Sequence, residues 1–272
     1  MLDFASIRTL LFDMDGVLYR GKTRLPGVPE ILEFCQRRDI AYACITNNAT
    51  MTPQQYEQKL AEMGIAMPGA RVLTSALVTN RYVRDNYPPG TTVYAIGMRG
   101  LTEALFDDGY CVPQAERPQL VVQGADFELT YEKLKLGCLA IRHGARFIAT
   151  NPDRTFPTEQ GLIPGAGAIM AALQTATDVE PLVIGKPQPT MFRIGLELLE
   201  STAEHTLVIG DRLDTDIAGA RQAGLRSVLM LSGVTGRAEL ETTPHQPDAV
   251  FEGLPQLLAA WKSADEYAND DE

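Results

Sequence analysis

The stretch Thr9-Leu10-Leu11-Phe12-Asp13-Met14-Asp15-Gly16 changes character halfway along. A β-branched residue and three apolar ones read as a strand covered on both faces, the pattern of a parallel sheet. Two aspartates and a glycine follow at once. Asp13 and Asp15 are two apart, so in extended chain they face the same side. Gly16 then lets the chain turn sharply. Carboxylates this close repel unless something positive sits between them. A hard divalent cation with oxygen ligands fits, and Mg²⁺ is the usual one where few carboxylates share it with phosphate oxygens. Taken alone, an Asp-x-Asp-Gly run after a strand serves equally well as a polar turn, so its neighbours decide.

Working outward, short apolar runs alternate with helical patterns. Val28 to Arg38 reads as a helix and Ala41 to Ile45 as a strand. Thr52-Pro53 opens a helix, with the threonine as N-cap and proline in the first turn, and Gly64 ends it. Leu182 to Ile184 and Thr206 to Ile209 read as strands, followed by helices over Thr190 to Leu199 and Thr215 to Ala223. Ser227 to Leu231 is a further strand. Strands joined by helices predict an α/β fold, a parallel sheet covered on both faces. Thr92 to Ile96, Leu120 to Gln123 and Phe147 to Ala149 repeat the pattern in the middle, which reads as a second small α/β unit. Its boundaries fall near 80 and, at Pro181, near 180.

Reactive residues recur at strand ends. Asp13 follows the first strand, Thr46 and Asn47 the second, Lys186 the run Leu182 to Gly185, and Asp211 the run Thr206 to Gly210. In an open parallel sheet, ligands bind outside the carboxyl ends of the strands. Two acids, a hydroxyl, an amide and an ammonium are thereby expected at one edge. The Thr46 hydroxyl and neighbouring N–H groups suit phosphate oxygens, although Asn47-Asn48 is also an ordinary turn. Lys186, held between Gly185 and Pro187, would neutralise the phosphate. Of the acids after Asp211, Asp214 is read as a helix cap, and Asp216 is either a first-turn acid or a partner behind the metal ligands. The set has an electrostatic purpose. Two like unit charges 4 Å apart repel by about 4 kcal/mol at an effective dielectric of 20, and a carboxylate approaching a phosphate dianion meets at least that.

Composition narrows the class. The chain has 272 residues, 45% of them apolar, and 24 basic against 35 acidic residues give a net charge of −11. So acidic a chain with no basic patch repels nucleic acid and anionic membrane. No stretch nears the roughly 18 apolar residues of a membrane span, and no basic leader with a long apolar stretch opens the sequence. The four cysteines form no CxxC pair, which disfavours zinc and indicates free thiols. A cytoplasmic protein is expected.

These residues resemble the haloacid dehalogenase superfamily. Asp13-Met14-Asp15-Gly16 matches its DxDG motif, Thr46 its second, Lys186 its third and Asp211 to Asp216 its acidic fourth. Thr46-Asn47-Asn48, Ile148 to Asp153, Pro164 to Gly167 and Gly185-Lys186-Pro187 look like the NagD/p-nitrophenylphosphatase-like subfamily. The resemblance implies a Rossmann-like core from residues 1–79 and 180–272, with a C2-type cap, 80–179, inserted. It implies a Mg²⁺-dependent phosphatase for a small-molecule phosphate monoester such as a sugar phosphate or nucleotide. Asp13 would form an aspartyl-phosphate. Asp15 would protonate the leaving group and then activate water, and its backbone carbonyl would bind the metal with Asp13 and Asp211. Asn151 and Asp153, in the loop from Asn151 to Gly161, are candidates for leaving-group contacts, with a loop-shaping turn as the equal alternative. Family members often dimerise through the cap, which leaves room for a homodimer. A mutase or transferase on the same scaffold shares the aspartyl-phosphate step. A phospho-aspartate receiver is about half this length and lacks the second aspartate.

Overall fold

The computed structural model describes residues 2–158 and 160–270. The chain divides into two compact units. The first takes the residues up to Ile45, Glu57–Val72 and those from Pro187 on; the second takes Thr46–Tyr56 and Leu73–Lys186.

The first unit is built on a six-stranded sheet in the order β15-β14-β13-β1-β4-β5. Its strands are β1 (Thr9–Phe12), β4 (Ala41–Thr46), β5 (Val72–Thr74), β13 (Thr206–Gly210), β14 (Arg226–Met230) and β15 (Ala249–Phe251). β1 lies between β4 and β13 and pairs in parallel with both, in the register Phe12↔Cys44 and Phe12↔Ile209. Every residue of β1 and β13 is buried, as expected for central strands with helices on both faces. Trp261, in the last helix, Leu254–Asp270, closes one face. Its ring lies 4.9 Å from Phe4 and 5.4 Å, edge-on, from Phe34 of the helix Val28–Arg37. After β1 the chain forms a small hairpin of β2 (Tyr19–Arg20) and β3 (Thr23–Arg24).

The second unit carries a five-stranded sheet in the order β12-β9-β8-β6-β7, all parallel. Its strands are β6 (Thr91–Ile96), β7 (Cys111–Pro113), β8 (Leu120–Gln123), β9 (Arg146–Ala149) and β12 (Leu182–Val183). A separate antiparallel hairpin pairs β10 (Thr155–Thr158) with β11 (Gly161–Pro164). Ile96, Val121, Ile141, Phe147 and Leu173 fill the core on one side.

One strand differs from the sequence reading. Leu182–Val183 was expected beside the strands that deliver Asp13 and Asp211, but it pairs with β9 at the edge of the second sheet. The strand is two residues long and half-buried. So short an apolar run carries no signal of which sheet it joins, because edge and centre differ only in how many neighbours cover the strand. Lys186 therefore follows a strand of the second sheet. Among the described residues, no helix is long and apolar enough to cross a membrane.

Candidate active site

In the first unit, β1 and β13 end side by side. Asp13 N–H donates to Ile209 O at 2.8 Å, which carries the pairing one residue past the strand. Asp13 and Asp211 thus emerge from neighbouring strand ends. Asp216 joins them, and one carboxylate oxygen from each of the three lies within 4.8 Å of the others. All three are buried, at 9%, 1% and 1% exposure.

Asp216 arrives by an irregular turn. The sequence predicts a plain helix from Thr215, but the chain makes a π-helical turn over Leu213–Ile217 before the helix Ala218–Gln222. The N–H groups of Asp216 and Ile217 both donate to Arg212 O at 3.1 Å. The Asp216 carboxylate reaches back, and its Oδ2 accepts from the N–H groups of Asp211 at 3.2 Å and Arg212 at 3.1 Å. Gly210 makes room, since a Cβ there would lie 2.2 Å from the Asp216 Cβ. The capping role expected of Asp214 is not observed. Arg212 holds the N-cap position without a side-chain bond, and the exposed Asp214 carboxylate pairs with the Arg212 guanidinium at 3.1 and 3.2 Å.

A segment that the sequence reading passed over wraps Asp211. Val234 N–H donates to Asp211 Oδ2 at 2.7 Å and Thr235 N–H to Asp211 O at 3.2 Å. A Cβ on Gly233 would fall 1.9 Å from Asp211 Oδ2, and one on Gly16, whose φ is +85°, 2.4 Å from the same atom. The signal was present: Ser232-Gly233-Val234-Thr235-Gly236 follows a strand end, as the other site residues do.

Three carboxylates this close repel by about 3 kcal/mol for each unit-charge pair at an effective dielectric of 20. The backbone N–H donors offset part of this. The donor set, buried and all oxygen, suits a hard divalent cation such as Mg²⁺.

Asp15 points its carboxylate elsewhere. Its Oδ2 accepts from the Tyr19 hydroxyl at 3.2 Å. Lys59 Nζ sits 4.0 Å from the centre of the Tyr19 ring. Burial pushes the Lys59 pKa below the usual lysine value, and the nearby Asp15 charge pushes it partly back. Neither Tyr19 nor Lys59 was singled out from sequence.

The remaining predicted residues lie in the second unit, with Asn47 as their hub. Its Nδ2 donates to Asp153 Oδ1 at 3.1 Å and to Lys186 O at 3.0 Å. Its Oδ1 accepts from Lys186 N–H at 2.8 Å. Its backbone oxygen accepts from Ser75 Oγ at 2.5 Å and Asn151 Nδ2 at 2.6 Å. Both side-chain donors of Asn47 are thereby engaged. The Thr46 hydroxyl accepts from Asn48 N–H at 3.1 Å, and Asn48 Oδ1 accepts from Thr50 N–H at 2.9 Å and Thr50 Oγ1 at 2.7 Å. Asn151 Oδ1 accepts from Asp153 N–H at 3.1 Å. Lys186 is 2% exposed. Gly185 must be glycine, because a Cβ would approach both Asn47 Oδ1 and Thr150 O to 2.5 Å.

Known proteins resemble this chain in sequence and fold. Residues 10–111 match the haloacid dehalogenase-like hydrolase family model, and residues 183–257 match a second, HAD-hydrolase-like model. An acid sugar phosphatase of Staphylococcus epidermidis is 36% identical over 249 residues, 92% of this chain and 96% of that one. A 4-nitrophenylphosphatase of Thermotoga maritima superposes with a TM-score of 0.89 at 34% identity, covering 93% of this chain and 97% of that one. A glycerol phosphate phosphatase of Mycobacterium tuberculosis, solved in complex with magnesium, superposes with a TM-score of 0.87 at 34% identity, covering 94% and 78%. By these matches along nearly its whole length, the chain belongs to the haloacid dehalogenase-like hydrolases.

Proposed function

We propose that this protein is a Mg²⁺-dependent phosphatase that hydrolyses a small-molecule phosphate monoester through an aspartyl-phosphate on Asp13. The observation that carries the proposal is the buried cluster of Asp13, Asp211 and Asp216 at neighbouring strand ends. The names of the relatives, acid sugar phosphatase, glycerol phosphate phosphatase and 4-nitrophenylphosphatase, support the substrate class.

Asp13 and Asp211 would hold the cation with the backbone carbonyl of Asp15, and Asp216 lends a third carboxylate to the same cluster. Bound there, Mg²⁺ supplies positive charge against the phosphoryl oxygens. A carboxylate oxygen of Asp13 attacks phosphorus, the bond to the ester oxygen breaks, and that oxygen takes its electron pair and a proton from Asp15. Asp15 then accepts a proton from water as the water oxygen attacks phosphorus. This releases inorganic phosphate and restores the Asp13 carboxylate. From their match to the second and third motifs, Thr46 and Lys186 are assigned to the phosphoryl group. Asn47, its side chain spent on the loop, is assigned to it through its backbone N–H, and Asn48, whose N–H and Oδ1 are engaged within the loop, through its side-chain Nδ2. Asp153 is assigned to the leaving group, whereas the bonds of the Asn151 side chain to Asn47 O, Thr150 Oγ1 and Asp153 N–H favour the loop-shaping role for Asn151.

Free thiols at all four cysteines support a cytoplasmic location. A homodimer through residues 80–179 rests on the resemblance alone, and light scattering would establish it. The test of the central reading is Mg²⁺-dependent release of 4-nitrophenol from 4-nitrophenyl phosphate. Asp13→Asn should lower it on the order of 10⁴-fold or more. Turnover by that variant at the rate of the unaltered enzyme would refute the proposal.

A further inference from the structure

The hairpin that follows Asp15 folds its first strand residue back onto the same carboxylate. Gly16 N–H donates to Tyr19 O at 2.8 Å, and an isolated bridge pairs Asp15 with Tyr19. Tyr19 is fully buried, and its hydroxyl donates to Asp15 Oδ2 at 3.2 Å. Below it, the Lys59 ammonium from the helix Pro53–Glu62 lies 4.0 Å from the ring centre. Packing alone would be served by phenylalanine, since a buried hydroxyl must find a partner to offset its desolvation. Here that partner is an acid two residues from the proposed nucleophile.

We infer that Tyr19, backed by Lys59, is a positioning residue for proton transfer by Asp15, and that its effect is confined to esters whose leaving group must be protonated. The inference rests on Asp15 being the acid, as proposed above. A phenol donating to Oδ2 restrains rotation of the carboxyl group and so fixes Oδ1 as the oxygen that hands over the proton. A cation on the face of the ring draws electron density from the phenol and strengthens it as a donor. In the first step, the bond from phosphorus to the ester oxygen breaks as the Asp13 oxygen bonds to phosphorus. An alkoxide leaving group needs the proton from Asp15 Oδ1 as it departs. A 4-nitrophenolate departs with its electron pair and needs none.

The ratio kcat/KM covers the steps up to departure of the leaving group, so it separates the two cases. Tyr19→Phe keeps the ring and loses only the hydroxyl. Its kcat/KM should fall about tenfold or more on glycerol phosphate and less than about threefold on 4-nitrophenyl phosphate. Lys59→Met should show a smaller split in the same direction, and it carries the test should Tyr19→Phe fail to fold. Asp15→Asn, measured alongside, should show the largest split. Equal losses on both esters in Tyr19→Phe, with a clear split in Asp15→Asn, would overturn the inference and leave the role of Asp15 intact. No split in Asp15→Asn would overturn both.

Discussion

Gly233 illustrates how much a single missing side chain can matter. A metal ligand works only if its carboxylate is held in one orientation, and groups behind the ligand do the holding. Asp211 is held by the Val234 N–H, and the segment bearing that N–H passes so close that a Cβ at Gly233 would overlap Asp211 Oδ2. In Gly233→Ala, Asp211 must rotate or the segment must lift, and the ligand loses its backing in either case. Titration calorimetry should record Mg²⁺ affinity about 10- to 100-fold weaker than in the unaltered protein. Unchanged affinity would mean that the segment moves without disturbing the site.

Among elements, the loop after β4 is organised by one amide. Asn47 ties Lys186 and Asp153 together through three side-chain bonds, two of them to backbone groups of a lysine that is 2% exposed. Asn47→Ala leaves a buried N–H and a buried carbonyl without this partner, at about 1–3 kcal/mol each. The melting temperature should drop by about 6 °C or more, and a drop under about 2 °C would contradict the assigned role. This element also marks where sequence reading reaches its limit. That Asp13 and Asp211 share a strand edge was legible, because unbroken apolar runs such as Leu10-Leu11-Phe12 and Leu207-Val208-Ile209 announce central parallel strands. That Asn47 would spend its amide on Lys186, 139 residues away, was not, since hydrogen bonds between distant residues leave no periodicity. The sheet of Leu182–Val183 was misjudged for the same reason, and the π-helical turn before Ala218 breaks the 3.6-residue pattern on which helix assignment depends.

Over the whole molecule, burial controls the thiols. Cys35, on the core face of Val28–Arg37, has its pKa pushed from 9.0 up to about 12 by desolvation, and burial raises Cys111 as well. An unfolded thiol ionises near its ordinary value, so above pH 9 the unfolded chain releases a proton that the folded chain keeps. Stability is therefore lost as pH rises from about 9 towards 12. The urea midpoint should fall between pH 8 and 10.5, and Cys35→Ala should make that fall smaller. An identical fall in both proteins would exclude Cys35 as a contributor.

The central place of β1 between β4 and β13 also sets a timetable for synthesis. Thr9 pairs with Thr206, whereas Leu120 of the second sheet pairs with Arg146 only a short way along the chain. Distant pairings form slowly, because a long loop must close before any contact rewards it. At about 5–20 residues per second, a ribosome needs roughly 10–40 s to make the stretch that separates β1 from β13. For that interval β1, with three large apolar side chains, has one flank without its native neighbour, and by its end every strand of the second sheet has been made. A nascent chain stalled before β13 should therefore present β1 to chaperones while the second sheet is able to fold.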